Sequence, residues 1–188
     1  PSAKDLAQLD EVGLDGSITD SYSPLSMAWD LDRNNEAGTF SVREHHALSL
    51  MPLWYNSKRN DTPQSPTREA AQASTDGDKN VEARMQISFK SKLAEDLFSS
   101  RADLWFGYTQ VSHWQVYNQG NSAPFRNTDY EPELILTQSV KMDLPWGGKL
   151  RMVGTGLVHQ SNGRTEPLSR SWNRAYVMAG MEWGKLTV

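Results

Sequence analysis

The feature that most constrains this chain is a strict period of two. Over residues 83–93, Ala83, Met85, Ile87, Phe89, Ser91 and Leu93 fall on one side, and Arg84, Gln86, Ser88, Lys90 and Lys92 on the other. Successive side chains of a strand point to opposite faces, so this pattern makes one apolar and one wet face. A second such strand is expected over 104–116, with Leu104, Phe106, Tyr108, Gln110, Ser112 and Trp114 sharing a face. Further strands are expected at about 131–142, 149–161 and 172–181, and Gly184 can turn the chain into another. Upstream, about 46–56 is the first strand candidate. Pro52 inside it marks an edge or a bulge, because proline lacks the N–H that a ladder needs.

The joins alternate in length. Those near 94–103 and 143–148 are short, and those at 57–80, 117–130 and 161–171 are long. Transmembrane β-barrels have short turns at one end and long loops at the other. No run of apolar residues is long enough for a transmembrane helix, but barrel strands alternate and average out in hydropathy. Seven Trp and six Tyr would suit aromatic girdles at a bilayer surface, and equally a soluble β-sandwich. Residues 1–40 read as a polar, irregular segment, with GSITDSYSPLS as a loop, and 41–188 as the sheet. A net charge of -4 without a Lys/Arg cluster argues against a nucleic-acid partner. The absence of cysteine excludes a disulfide framework and thiol catalysis. The chain opens at Pro1 with no charged-then-apolar leader, so any signal peptide is expected to be absent from this sequence.

The chemistry concentrates in HQSNGR, residues 159–164, followed by SRSWNR, residues 169–174. His159 and Ser161 are two apart near a strand end, so they share a face. A serine hydroxyl is a weak nucleophile and needs an adjacent base, which His159 can supply. The imidazole in turn needs an acceptor on its other nitrogen, and Asn173 begins the neighbouring strand. Backbone N–H groups at Ser161 and Gly163 are candidates to stabilise an oxyanion. Parity places Asn173, Ala175, Val177 and Ala179 on one face and Arg174 and Tyr176 on the other. The triad thus belongs on the apolar, lipid-facing side.

The whole run HQSNGRTEPLSRSWNR closely resembles the signature of the outer membrane phospholipase A family. Tyr108-Thr109-Gln110, Trp114-Gln115, Ser122-Ala123-Pro124-Phe125-Arg126 and Tyr130-Glu131-Pro132-Glu133-Leu134 agree with it. The resemblance is strong over about 81–188, and SPLSMAWDLD and GTFSVREHHALSLMPLWYN extend it upstream. It implies an all-β, antiparallel transmembrane barrel, twelve-stranded in the family, of which this chain supplies about the first six or seven strands. Open sheet edges cannot be satisfied by lipid, so more strands are expected beyond Val188. It also implies a calcium-dependent serine hydrolase of the bacterial outer membrane, cleaving phospholipid acyl esters as a homodimer, with its active site at the outer side. In that reading Ser161 is the nucleophile, His159 the base and Asn173 the third triad member. The Arg164 carbonyl and Ser169 are calcium ligands, and Ser122 is a ligand supplied by the other protomer. Gln110 hydrogen-bonds across the dimer interface, and Ala123 stands where a second Ser can occur. A further acidic calcium ligand would lie beyond Val188.

Strand counting supports this convergence: the strands before Ser122 and Ser161 are two apart, so their loops leave the same end of the sheet. Two rival readings remain at this level. One is a non-catalytic porin-like or structural barrel retaining a degenerate motif. The other is a soluble esterase with a β-sandwich, although no Gly-x-Ser-x-Gly element is present. His45 and His46 are adjacent, so a strand would point them to opposite faces and make a joint metal site improbable. His113 is read as an interior hydrogen-bonding or packing residue. Asp76, Asp78 and Glu82 are read as a solvated loop, and Trp105, Trp114, Trp146 and Trp172 as interface anchors or packing groups.

Overall fold

A computed structural model describes residues 23–32, 36–58, 62, 64 and 77–188. The chain forms one antiparallel sheet. Its strands are β1 (Val42–Glu44), β2 (Ser49–Tyr55), β3 (Val81–Leu97), β4 (Ala102–Trp114), β5 (Phe125–Leu144), β6 (Gly148–Ser161), β7 (Ser171–Trp183) and β8 (Leu186–Thr187). β3 to β8 pair in sequence order, and β1 and β2 both pair with β3. This is the half-barrel expected from the alternation, with strands up to 20 residues long.

The expected strands are all present, several of them longer at their ends. β5 begins at Phe125 rather than near 131 and so takes up much of the predicted loop. β1 and β2 are two halves of one edge strand. Glu44 pairs with Phe89 and Ser49 with Gln86, so residues 45–48 face only Ile87 and Ser88. A second register shift lies between Met51 and Trp54, across Pro52. That is the bulge its missing donor demands.

The expectation of an irregular segment over 1–40 falls largely outside the described residues. Within it, Pro24–Trp29 form a short helix, α1. Ser23 caps it, accepting the Ser26 N–H at 3.1 Å, and Pro24 occupies the first turn, where no partner for its nitrogen is needed. Left-handed Asp30 ends it. α1 lies on the wet face of the sheet, where Leu25 packs with Met152 and Leu31.

That wet face is buried and ionic. Lys92 is 1% exposed and holds Asp30 and Asp103, each at 3.1 Å. Arg151 bridges Asp32 (2.7 Å) and Glu182 (2.8 Å). Trp105, fully buried, donates to Thr137 Oγ1 at 3.1 Å and stands edge-on to Trp29. Buried charges persist only when paired, and each of these has an opposite charge within 3.1 Å. The opposite face carries Ile87, Leu134, Leu136, Val153, Leu157 and Val177, all exposed. A polar inside and an apolar outside define the membrane-barrel strand. At the short-turn end, Trp146 and Phe98 stand exposed. No helix among the described residues is long and apolar enough to cross a membrane.

Candidate active site

β6 and β7 pair His159 with Asn173 and Ser161 with Ser171. The antiparallel register therefore makes the imidazole and the amide direct cross-strand neighbours on the outer face. His159 Nδ1 lies 2.7 Å from Asn173 Oδ1. The amide oxygen can only accept, so Nδ1 carries the proton, and in the neutral imidazole this leaves the lone pair on Nε2. Ser161 shares the face of His159 on β6. Its Oγ accepts the Gly163 N–H at 3.1 Å, and no bond to His159 is formed. Such contacts are commonly long without substrate and tighten when it binds.

The turn after β6 is held by Asn162. Its Oδ1 accepts the Arg170 N–H at 2.9 Å, and its Nδ2 donates to the Leu168 carbonyl at 2.9 Å. Gly163 is required twice over. Its φ is +62°, and a Cβ there would meet the Tyr130 ring at 2.6 Å. Tyr130 lies opposite both Gln110 and Ser161 in the ladder, so its ring forms the floor beside Ser161. Below His159 and Asn173, Phe106, Pro132, Leu134, Leu157 and Ala175 line a groove of ≈ 650 Å³ on the outer face.

The loops over 115–124 and 162–170 leave the same end of the sheet, as strand counting requires. Arg164 ties the second loop to the start of β5 by donating to the Arg126 carbonyl. Arg126 is itself clamped by Glu82, at 2.8 and 2.7 Å. Glu82 also accepts from Gln115 at 3.0 Å and contacts His113 at 2.9 Å. This corrects the reading of Glu82 as a solvated loop residue: it is 1% exposed and anchors the base of the loop. Asp76 lies outside the described residues. His113 is the interior hydrogen-bonding residue expected of it.

Ser122 sits in the left-handed conformation at the end of a 3₁₀ turn. Neither its hydroxyl nor that of Ser169 takes a hydrogen bond among the described residues. With the Arg164 carbonyl, these are neutral oxygen donors at one end of the sheet. That is the donor type a hard cation such as calcium takes, though three oxygens fall short of the six to eight or so it prefers. The donor set fits a shared site rather than a self-sufficient one.

Gln110, expected to hydrogen-bond across a dimer interface, already has partners on its own strand: Tyr108 Oη donates to its Oε1 at 2.9 Å, and its Nε2 donates to Ser112 Oγ at 3.2 Å. The adjacent hydroxyls of the outer face thus satisfy it within one protomer. His45 and His46 depart from expectation. Their rings lie 4.0 Å apart, because the strand breaks where they occur.

Comparison with known proteins identifies the family. The Phospholipase A1 family matches residues 25–188. The chain belongs to the phospholipase A1 family. A family homologue of Neisseria meningitidis serogroup B is 63% identical over 175 residues, covering 92% of this chain and 46% of that protein. Phospholipase A1 of Escherichia coli K12 is 38% identical over 130 residues, covering 68% of this chain and 45% of that one. The chain thus spans about half the length of these curated relatives. Among solved structures, outer membrane phospholipase A of Escherichia coli superposes with a TM-score of 0.64 at 31% identity, covering 77% of this chain and 57% of that one. The Salmonella typhi outer membrane phospholipase dimer with bound calcium gives 0.64 at 31%, covering 82% and 56%. The sheet is part of an outer-membrane β-barrel of this family.

Sequence reasoning missed three parts of the site. Tyr130 and Arg126 were visible only as letters within matching stretches, since their roles depend on cross-strand register. Glu82 was hidden because its strand begins just after a polar run, and composition alone reads that stretch as loop.

Proposed function

We propose that the whole protein is a calcium-dependent phospholipase of the outer membrane, hydrolysing acyl esters of phospholipids at both chain positions and of lysophospholipids, and active as a homodimer. The observation that carries this is the 2.7 Å contact of His159 Nδ1 with Asn173 Oδ1 on the face that Ser161 shares. Asn173 fixes the tautomer, so Nε2 can take the Ser161 proton as Oγ attacks the ester carbonyl. An acyl-enzyme forms, the lyso product leaves, and water restores the serine. Backbone N–H groups at Ser161 and Gly163 support the oxyanion. The apolar groove below His159 suits the acyl chain of a lipid already in the bilayer.

Ser122, the Arg164 carbonyl and Ser169 would hold calcium, with Ser122 reaching from the partner protomer. When bound, calcium supplies positive charge near the oxyanion. The calcium-bound Salmonella typhi dimer supports this reading.

The test is Ser161→Ala in the full-length protein, assayed on phospholipid in mixed micelles. Hydrolysis should fall to background, while the barrel keeps its heat-modifiable mobility on gels. Substantial residual turnover would remove Ser161 from its role and favour a barrel whose motif is vestigial.

A further inference from the structure

On the buried face, away from the Ser161 site, the break between β1 and β2 gathers three metal-ligating side chains. In an unbroken strand His45 and His46 would point to opposite faces. Here four residues, 45–48, oppose two, and both rings come to the same side. The break is pinned: the His46 N–H donates to Ser88 Oγ at 3.1 Å, and Ser88 Oγ pairs with Thr109 Oγ1 at 2.7 Å. The imidazole centroids are 4.0 Å apart. Glu133 of β5 reaches beneath them and contacts His45 Nε2. One nitrogen of each histidine and one carboxylate oxygen lie within 4.8 Å of one another. No other group of three potential ligands of this kind occurs among the described residues.

The surroundings are those of a built site. His45 and Glu133 side chains are each 5% exposed, His46 is the exposed member, and His45 Nδ1 is buried without a hydrogen-bond partner. Glu133 has room only because residue 107 is glycine: a Cβ there would lie 2.7 Å from Glu133 Cγ and 2.8 Å from Oε1. Tyr176 Oη donates to Glu133 Oε2 at 2.9 Å, which orients the carboxylate and leaves Oε1 to the histidines. Outer hydrogen bonds of this kind fix metal ligands. The group faces a cavity of ≈ 1100 Å³ under α1, which leaves coordination positions open to water or a small ligand. Of the cations lining that cavity, Arg43 is paired with Asp30, Arg174 with Glu131, and Lys90 Nζ lies 3.5 Å from the Trp29 ring centroid.

We propose that His45, His46 and Glu133 form a site for a late first-row divalent cation such as zinc, tying the edge strand to β5 across the buried face. Two imidazoles and one carboxylate suit zinc or its neighbours, whereas calcium prefers oxygen alone. The site is thus distinct in chemistry and in face from the oxygen donors near Ser161.

The experiment uses full-length protein in detergent, stripped with chelator and titrated with zinc. One zinc per protomer should bind, and a large excess of calcium should not displace it. His46→Ala, checked for heat-modifiable mobility, should weaken binding at least about tenfold, and Tyr176→Phe by about tenfold. Ser169→Ala and His159→Ala should leave it unchanged. Cobalt added to the wild type should give visible d–d bands that zinc abolishes, a readout that needs no variant to fold. Failure of the wild type to bind zinc would overturn the proposal. So would zinc binding that survives in the His45→Ala/His46→Ala double variant or is lost in His159→Ala.

Discussion

At the scale of single residues, the site depends on what each neighbour permits. In the proposed triad Asn173 orients His159 but takes no proton, so Asn173→Ala should lower turnover less than His159→Ala, which would remove the base. Because members of such a triad act as a unit, the double variant should be little worse than His159→Ala alone. Rates for the three variants on one phospholipid check both points, and wild-type turnover in Asn173→Ala would remove it from the triad. Gly163 gives a sharper case. An alanine there meets the Tyr130 ring and must hold φ at +62°, which costs an L-residue roughly 1–2 kcal/mol. The N–H beside Ser161 Oγ shifts with it. Gly163→Ala should therefore lose at least about tenfold in kcat, since each 1.4 kcal/mol of lost transition-state stabilisation is about tenfold, with KM nearly unchanged. A KM effect without a kcat effect would place Gly163 in lipid binding instead.

At the scale of elements, the loops that carry the site are held from below. Glu82 on β3 accepts two bonds from Arg126 at the start of β5, and Arg126 in turn receives Arg164 from the next loop. The Glu82 and Arg126 side chains are 1% and 18% exposed. Removing one member of a buried pair leaves a charge without its partner. Glu82→Ala should therefore destabilise the full-length barrel by about 3 kcal/mol. The Arg174–Glu131 pair has comparable geometry at 2.6 Å, but Arg174 is 41% exposed. Glu131→Ala should cost about 1 kcal/mol or less, because water screens that pair. Urea unfolding of the two variants in one detergent compares them. Equal losses would mean that burial does not decide the worth of these pairs.

At the scale of the whole molecule, the proposed calcium site offers three neutral oxygens, fewer than the six to eight or so that calcium prefers, and in that reading Ser122 comes from a second protomer. Linkage then requires that calcium strengthen dimerisation by the same free energy by which the dimer strengthens calcium binding. Ser122→Ala should weaken calcium activation and calcium-induced cross-linking together. Activity that saturates with calcium while the protein stays monomeric would contradict this. Gln110 should matter less than its place in a bilayer suggests. Tyr108 and Ser112 already satisfy it, so Gln110→Ala should shift dimerisation by about 1 kcal/mol or less.

The sequence by itself determined the strands, their faces and the letters of the proposed triad. Alternation is a local property: the pleat alone sorts Ile87 from Lys90 and puts His159 with Ser161, whatever the rest of the chain does. The cross-strand neighbour of His159 was also within reach, because a short antiparallel return constrains register. What only the tertiary structure decided are the places where register breaks or distant strands meet. The four residues of the β1–β2 break bring His45 and His46 to one side, against the parity that a regular strand imposes. Glu82 reads as loop beside its polar neighbours, yet Arg126, 44 residues on, makes it a buried anchor. Tyr130 closes the floor beside Ser161 because β5 and β6 pair those two residues. Each of these depends on long-range pairing, which no window of adjacent residues encodes.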